Sequence, residues 1–190
     1  MASIPPLTSR LIYDQRANAG ITVGFSTTNK LGSRIIRFIT RSIVSHTWIA
    51  FYDATLQQRM VIQAEIWGYE VRPWNRWLLE NKWVAEYALP VLDTTDAALQ
   101  CTASMLGCDY DFTSVFAIAL RRWFKRLWKK PWQSPRKLMC SEGVVRFLQT
   151  AGYIFAEQLH PELTTPQSLL ETLEAYGIFG LYKIKKLENP

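Results

Sequence analysis

One cysteine stands where a nucleophile would be placed. Cys140 lies in Leu138-Met139-Cys140-Ser141-Glu142-Gly143-Val144-Val145-Arg146-Phe147-Leu148, where small and polar residues give way to a helical apolar repeat. That pattern puts the thiol at the N-terminus of a helix. The unpaired first-turn N–H groups and the helix dipole there favour the thiolate. The chain has only two histidines, and one, His46, lies in Ser45-His46-Thr47-Trp48-Ile49-Ala50-Phe51-Tyr52, which reads as a strand. A helix-end cysteine facing a strand histidine is the layout of a thiol nucleophile and its general base. Such a base needs a third polar group to fix its tautomer. Val61-Ile62-Gln63-Ala64-Glu65 offers two: Gln63 and Glu65 alternate onto one strand face. They share the face of His46 if Trp48 pairs with Gln63, and a one-residue slip would separate them.

The other sequence signals are weaker or negative. His160, in Leu159-His160-Pro161, reads as a loop residue and the poorer base. Cys101 and Cys108 sit on or beside an ordinary amphipathic helix and fit a structural role. Three scattered cysteines and two distant histidines give no zinc spacing. No P-loop and no dinucleotide-binding fingerprint is present, so no cofactor or metal is expected. An odd cysteine count without framework spacing argues against a disulfide-stapled secreted domain. The first residues show no signal-peptide pattern, so synthesis in the cytoplasm is expected. Later action at the cell envelope or in a virion remains compatible with that.

The elements that must position these groups follow from periodicity and capping. Ile21–Phe25, 46–52, 60–67 and 83–89 read as strands, and 178–187 as a last one. Helices are expected over 33–43, 93–106, 112–128, 140–150 and from Thr165-Pro166 to Ala175. The order is an α+β pattern rather than alternating βαβ units. At 190 residues and 48% hydrophobic, the chain can bury a core as a single domain spanning 1–190.

The balance is basic, 22 Lys+Arg against 16 Asp+Glu, which favours a polyanionic partner. A basic, Trp-rich insert at about 121–137 concentrates it: Arg121, Arg122, Trp123, Lys125, Arg126, Trp128, Lys129, Lys130 and Trp132. The composition predicts a protruding helical element beside the cleft. It could grip an anionic membrane or wall polymer, with nucleic acid ranking behind.

Together these stretches resemble the permuted branch of the NlpC-type papain-like cysteine peptidases and amidases, in which the histidine precedes the cysteine. Ala19-Gly20-Ile21-Thr22-Val23-Gly24-Phe25 is similar to that family's opening strand. Ser45-His46-Thr47-Trp48-Ile49-Ala50 resembles its Ser-His-Val-Gly-Ile strand. Gly107-Cys108-Asp109-Tyr110-Asp111-Phe112 resembles its Gly-x-x-Tyr-Asp turn, and Met139-Cys140-Ser141-Glu142-Gly143-Val144 its nucleophile helix. Thr164-Thr165-Pro166-Gln167-Ser168-Leu169 is similar to the segment that follows. Gln63-Ala64 stands where the family usually has His or Glu before Ala, and Thr47-Trp48 replaces its Val-Gly.

The resemblance implies a papain-like fold, with a small antiparallel sheet or partial barrel packed on helices. It implies a hydrolase in which Cys140 attacks an amide carbonyl, His46 moves the proton and Gln63, or Glu65 in reserve, orients the ring. Ser141, Tyr110 and Trp48 would line the cleft or oxyanion site. The expected substrate is a peptidoglycan peptide or another amide, and the expected setting a phage wall-degrading enzyme, with virion proteins among its partners. Two other outcomes stay open: a non-catalytic binding module using the basic aromatic surface, and a lipid acyl hydrolase or transferase of the lecithin retinol acyltransferase-like type.

Overall fold

A computed structural model describes residues 20–29, 33–34, 37–38, 41–65, 67–110, 137–178 and 180–183. The protein is α+β. Strands β1 (Ile21–Thr27), β2 (His46–Asp53), β3 (Gln58–Glu65), β4 (Gly68–Pro73), β5 (Lys82–Leu89) and β8 (Gly180–Lys183) form one sheet in the order β4-β3-β2-β1-β5-β8. All its neighbours pair antiparallel. A second, two-stranded parallel sheet joins β6 (Asp109–Tyr110) to β7 (Lys137–Leu138). The helices are α1 (Trp74–Glu80), α2 (Thr95–Ala103), α3 (Cys140–Thr150) and α4 (Pro166–Ala175). Helical backbone also occurs at Ser33, Arg34, Arg37 and Phe38.

β1 is buried along its whole length, so both of its faces are covered. Ile21, Val23 and Phe25 point to one side, into a core shared with Ile49, with Val144, Val145, Phe147 and Leu148 of α3, and with Leu169, Leu170 and Leu173 of α4. Burial of each such side chain stabilises the fold by roughly 1.5–3 kcal/mol. The opposite side of the sheet carries a smaller core of Trp48, Ala50, Val61 and Trp77, against which Trp74, Leu78 and Trp83 pack. Here Trp74 and Trp77 of α1 stack with centroids 4.9 Å apart, and Trp48 packs 4.7 Å from Trp77. On the same side the Arg59–Glu86 ion pair is buried, with Arg59 donating to Thr22 and its guanidinium 4.0 Å from the Trp74 ring. That pair ties β3 to β5 across the intervening strands.

Local chemistry explains the boundaries. The β2–β3 turn closes on Asp53, whose Oδ1 accepts from the N–H groups of Thr55 and Leu56 at 2.9 Å. Gly68, at φ +121°, opens β4 where any Cβ would lie 2.7 Å from the Cys108 carbonyl oxygen. Thr165 caps α4 by accepting from the Ser168 N–H at 3.1 Å, and Pro166 takes the first helical position.

The structure adds what the sequence reading left unassigned, namely β4 and α1 between β3 and β5. The expected helix over 112–128, the insert at about 121–137 save Lys137, and residues 184–187 of the expected final strand lie outside the described residues. Among the described residues, no helix is long and apolar enough to cross a membrane.

Candidate active site

Cys140 is the first residue of α3. Met139 before it is extended, and its N–H is accepted by the Glu142 carboxylate, three residues on, at 3.4 Å. Glu142 is in turn held by Arg146 at 2.8 Å. The helix start is therefore fixed by its own first turn. Ser141 pins it to the loop ahead of α4, its hydroxyl donating to the Thr164 carbonyl at 2.5 Å.

His46 is the first residue of β2, at the end of the sheet. Its imidazole lies close enough to the Cys140 side chain for each to shift the other's titration. On its other side, His46 Nε2 lies 3.0 Å from Gln63 Oε1. The strand register is Trp48 opposite Gln63, which puts His46 and Gln63 on one face. The identity of the donor follows from the rest of the network. Gln63 Oε1 also accepts from the Trp77 indole N–H at 2.8 Å, and Gln63 Nε2 donates to Glu70 at 3.1 Å. The amide is therefore oriented oxygen toward the ring, so His46 Nε2 carries the proton. Nδ1 is left for Cys140. Gln63 is 1% exposed, so this arrangement is shielded from water.

The electrostatics follow from these contacts. Burial pushes the Cys140 thiol up. The hydrogen bond and positive charge of His46, with the backbone N–H groups of Thr47 and Ser141, outweigh it and bring the thiol below its ordinary value. Burial pulls His46 down. Its hydrogen bond and attraction to Cys140, the charge of Glu65 and the hydrogen bond to Gln63 outweigh that and raise it. Both directions favour a thiolate–imidazolium pair. Chemically, the arrangement supplies a nucleophile, a proton carrier and a fixed ring orientation.

The other residues singled out from sequence are placed as follows. Glu65 acts on His46 by charge and is half-buried at the end of β3. Ser141 has its hydroxyl engaged and presents its N–H to the Cys140 sulfur. Tyr110 is in β6, beside Leu138 in the ladder that leads into α3. His160 is exposed in the loop before α4. Trp48 requires a correction. It was expected to line the cleft, but it is 0% exposed and belongs to the tryptophan core. Gly24 sits opposite it in the ladder, and a Cβ there would lie 2.0 Å from its ring. The missing side chain lets the indole lie flat across β1. Arg121, Arg122, Trp123, Lys125, Arg126, Trp128, Lys129, Lys130 and Trp132 lie outside the described residues. Sequence reasoning missed Glu70 and Trp77, which hold Gln63, and Tyr69, whose ring covers Gly143 of α3. The Tyr69–Val71 alternation and the Trp74–Trp77 spacing after Pro73 were the available signals. Among the described residues, no group of three or more His, Cys, Asp or Glu is placed to hold a metal ion.

No protein-family model matches the chain. No curated protein matches it. Among solved structures, it is similar to the metalloprotein yiiX from Escherichia coli O157:H7, described as DUF1105. The identity is 21%, over 83% of this chain and 81% of that one, with a TM-score of 0.48.

Proposed function

We propose that this protein is a cysteine hydrolase that cleaves an amide bond, and that residues 1–190 form one papain-like domain of the permuted NlpC type. The observation that carries the reading is the series Cys140–His46–Gln63: His46 is hydrogen-bonded to Gln63 at 3.0 Å and is close enough to Cys140 that the thiol is drawn below and the imidazole above their ordinary values. In this reading the Cys140 thiolate attacks the carbonyl carbon, and helix-start N–H groups stabilise the oxyanion. The His46 imidazolium gives its proton to the leaving amine. His46, now neutral, takes a proton from water, whose oxygen displaces Cys140 from the acyl group. Gln63 touches no substrate and acts by holding the ring.

A peptidoglycan peptide is the proposed substrate. The net charge of +6 suits an anionic wall, and the family resemblance points the same way. A phage or virion setting is part of the proposal. The test is incubation of the purified protein with peptidoglycan fragments and with simple lipid esters, read by mass spectrometry beside Cys140→Ala. Peptide products absent from the variant support the reading. Ester products alone transfer it to lipid acyl chemistry. No products from either leaves a binding module.

A further inference from the structure

Tyr69 has a buried hydroxyl with no partner among the described residues, beside the candidate nucleophile. Its backbone is fixed on both sides: its N–H donates to the Cys108 carbonyl at 2.9 Å, and its carbonyl accepts from the Gly107 N–H at 3.0 Å. It pairs with Ala64 in the β3–β4 ladder and shares a buried cluster with Ile62, Ala64 and Cys140. The ring lies on the first turns of α3, where a Cβ on Gly143 would come 2.6 Å from the phenol oxygen. Gly143 follows Cys140 by three positions, so both occupy one face of the helix. The hydroxyl therefore sits over the turn that begins with the thiol.

Tyr69 is 3% exposed, yet its oxygen makes no hydrogen bond among the described residues. A buried polar group is normally paired, and an unpaired one calls for a reason. Across the sheet Gln63, Glu70 and the Trp77 indole are engaged; the Trp48 indole N–H also lacks a partner among the described residues, but it lies in the tryptophan core rather than in the cluster that holds Cys140. A ring needed only to pack on Gly143 could as well be phenylalanine. Burial and the negative charge at Cys140 and Cys101 both push the phenol's titration upward. The hydroxyl thus keeps its proton and serves as a donor.

We infer that Tyr69 donates a hydrogen bond to the oxyanion that forms when the Cys140 sulfur adds to a carbonyl. This rests on the hydrolase reading and adds a side-chain donor to it. The negative oxygen would be the acceptor that the resting site lacks. The phenol gains most as charge develops, which is the condition for lowering a barrier.

The experiment compares two reactions of Cys140 in the full chain, wild type and Tyr69→Phe. Acylation by p-nitrophenyl acetate passes through an oxyanion: the thiolate adds, p-nitrophenolate leaves, and acetyl remains on sulfur. Alkylation by iodoacetamide expels iodide from a saturated carbon and forms no oxyanion. Peptide mass spectrometry assigns each product to Cys140. The Phe variant is expected to acylate about 100-fold more slowly, to alkylate at the wild-type rate, and to melt no lower. Equal acylation in the two proteins overturns the role of Tyr69 alone. So does a parallel fall in both reactions, or a lower melting temperature, because either marks the hydroxyl as structural. A wild-type Cys140 that acylates no faster than Cys101 removes the hydrolase reading and this inference together.

Discussion

Replacing Gln63 with methionine keeps the volume of a fully buried side chain and removes only its hydrogen bonds. Two N–H donors then lose their acceptor: the indole of wholly buried Trp77 and Nε2 of half-buried His46. Glu70 keeps its ion pair with Arg72 at 2.6 Å, so it is not stranded. A buried donor left unpaired costs about 1–3 kcal/mol. His46 can turn partly to water, which leaves a total near 2–4 kcal/mol. For a chain of this size, each kcal/mol shifts Tm by roughly 2–4 °C, so Gln63→Met should melt about 4–16 °C lower. The site should change in a set direction. Loss of the Gln63 acceptor lowers the His46 value, because that bond helps to raise it. A less charged His46 then supports the thiolate less, so the Cys140 value rises. Thermal unfolding gives the first quantity, and iodoacetamide rates across pH give the second. A variant within about 0.5 kcal/mol of wild type, with the same alkylation midpoint, would refute the network as described.

Gly24→Ala should cost about 1–3 kcal/mol or more, because its Cβ would meet the Trp48 ring at 2.0 Å and overpack that core; unchanged urea unfolding would contradict the packing. Co-sedimentation with sacculi and with anionic liposomes should be strong at low salt and fall steeply at high salt, since the basic stretch from Arg121 to Trp132 carries the expected contact. Failure to bind either at low salt removes the targeting idea.

Much of the arrangement around Cys140 was legible because local signals agreed. The apolar repeat after Cys140 and the Thr165-Pro166 cap each mark a helix start without tertiary information. Gln63 followed from strand alternation, once the register with Trp48 was supposed. The partners of Gln63 were not legible. Glu70 lies in a short strand and Trp77 in a short helix, and only tertiary contact brings them to the amide. Trp48 misled for a related reason. Its place in the family's His strand, where a glycine usually stands, implied a cleft, but the glycine that admits its ring is on a neighbouring strand, and pairing rather than sequence proximity brings them together. An unpaired hydroxyl such as that of Tyr69 has no sequence signature, since it depends on what fails to lie near it.

The reactivity of Cys140 across pH tests the central claim most directly. Iodoacetamide is titrated against the protein from acid to alkaline pH, with the product mapped to Cys140 rather than Cys101 or Cys108. Only the thiolate reacts, and its value is lowered by His46, the Thr47 N–H and the Ser141 N–H against the opposing effect of burial. The rate should therefore rise at a midpoint below the ordinary thiol value of about 8.5. In His46→Ala the opposing burial remains while the imidazole is gone, so the midpoint should move upward. A wild-type midpoint at or above the ordinary thiol value, unmoved by His46→Ala, would contradict the account.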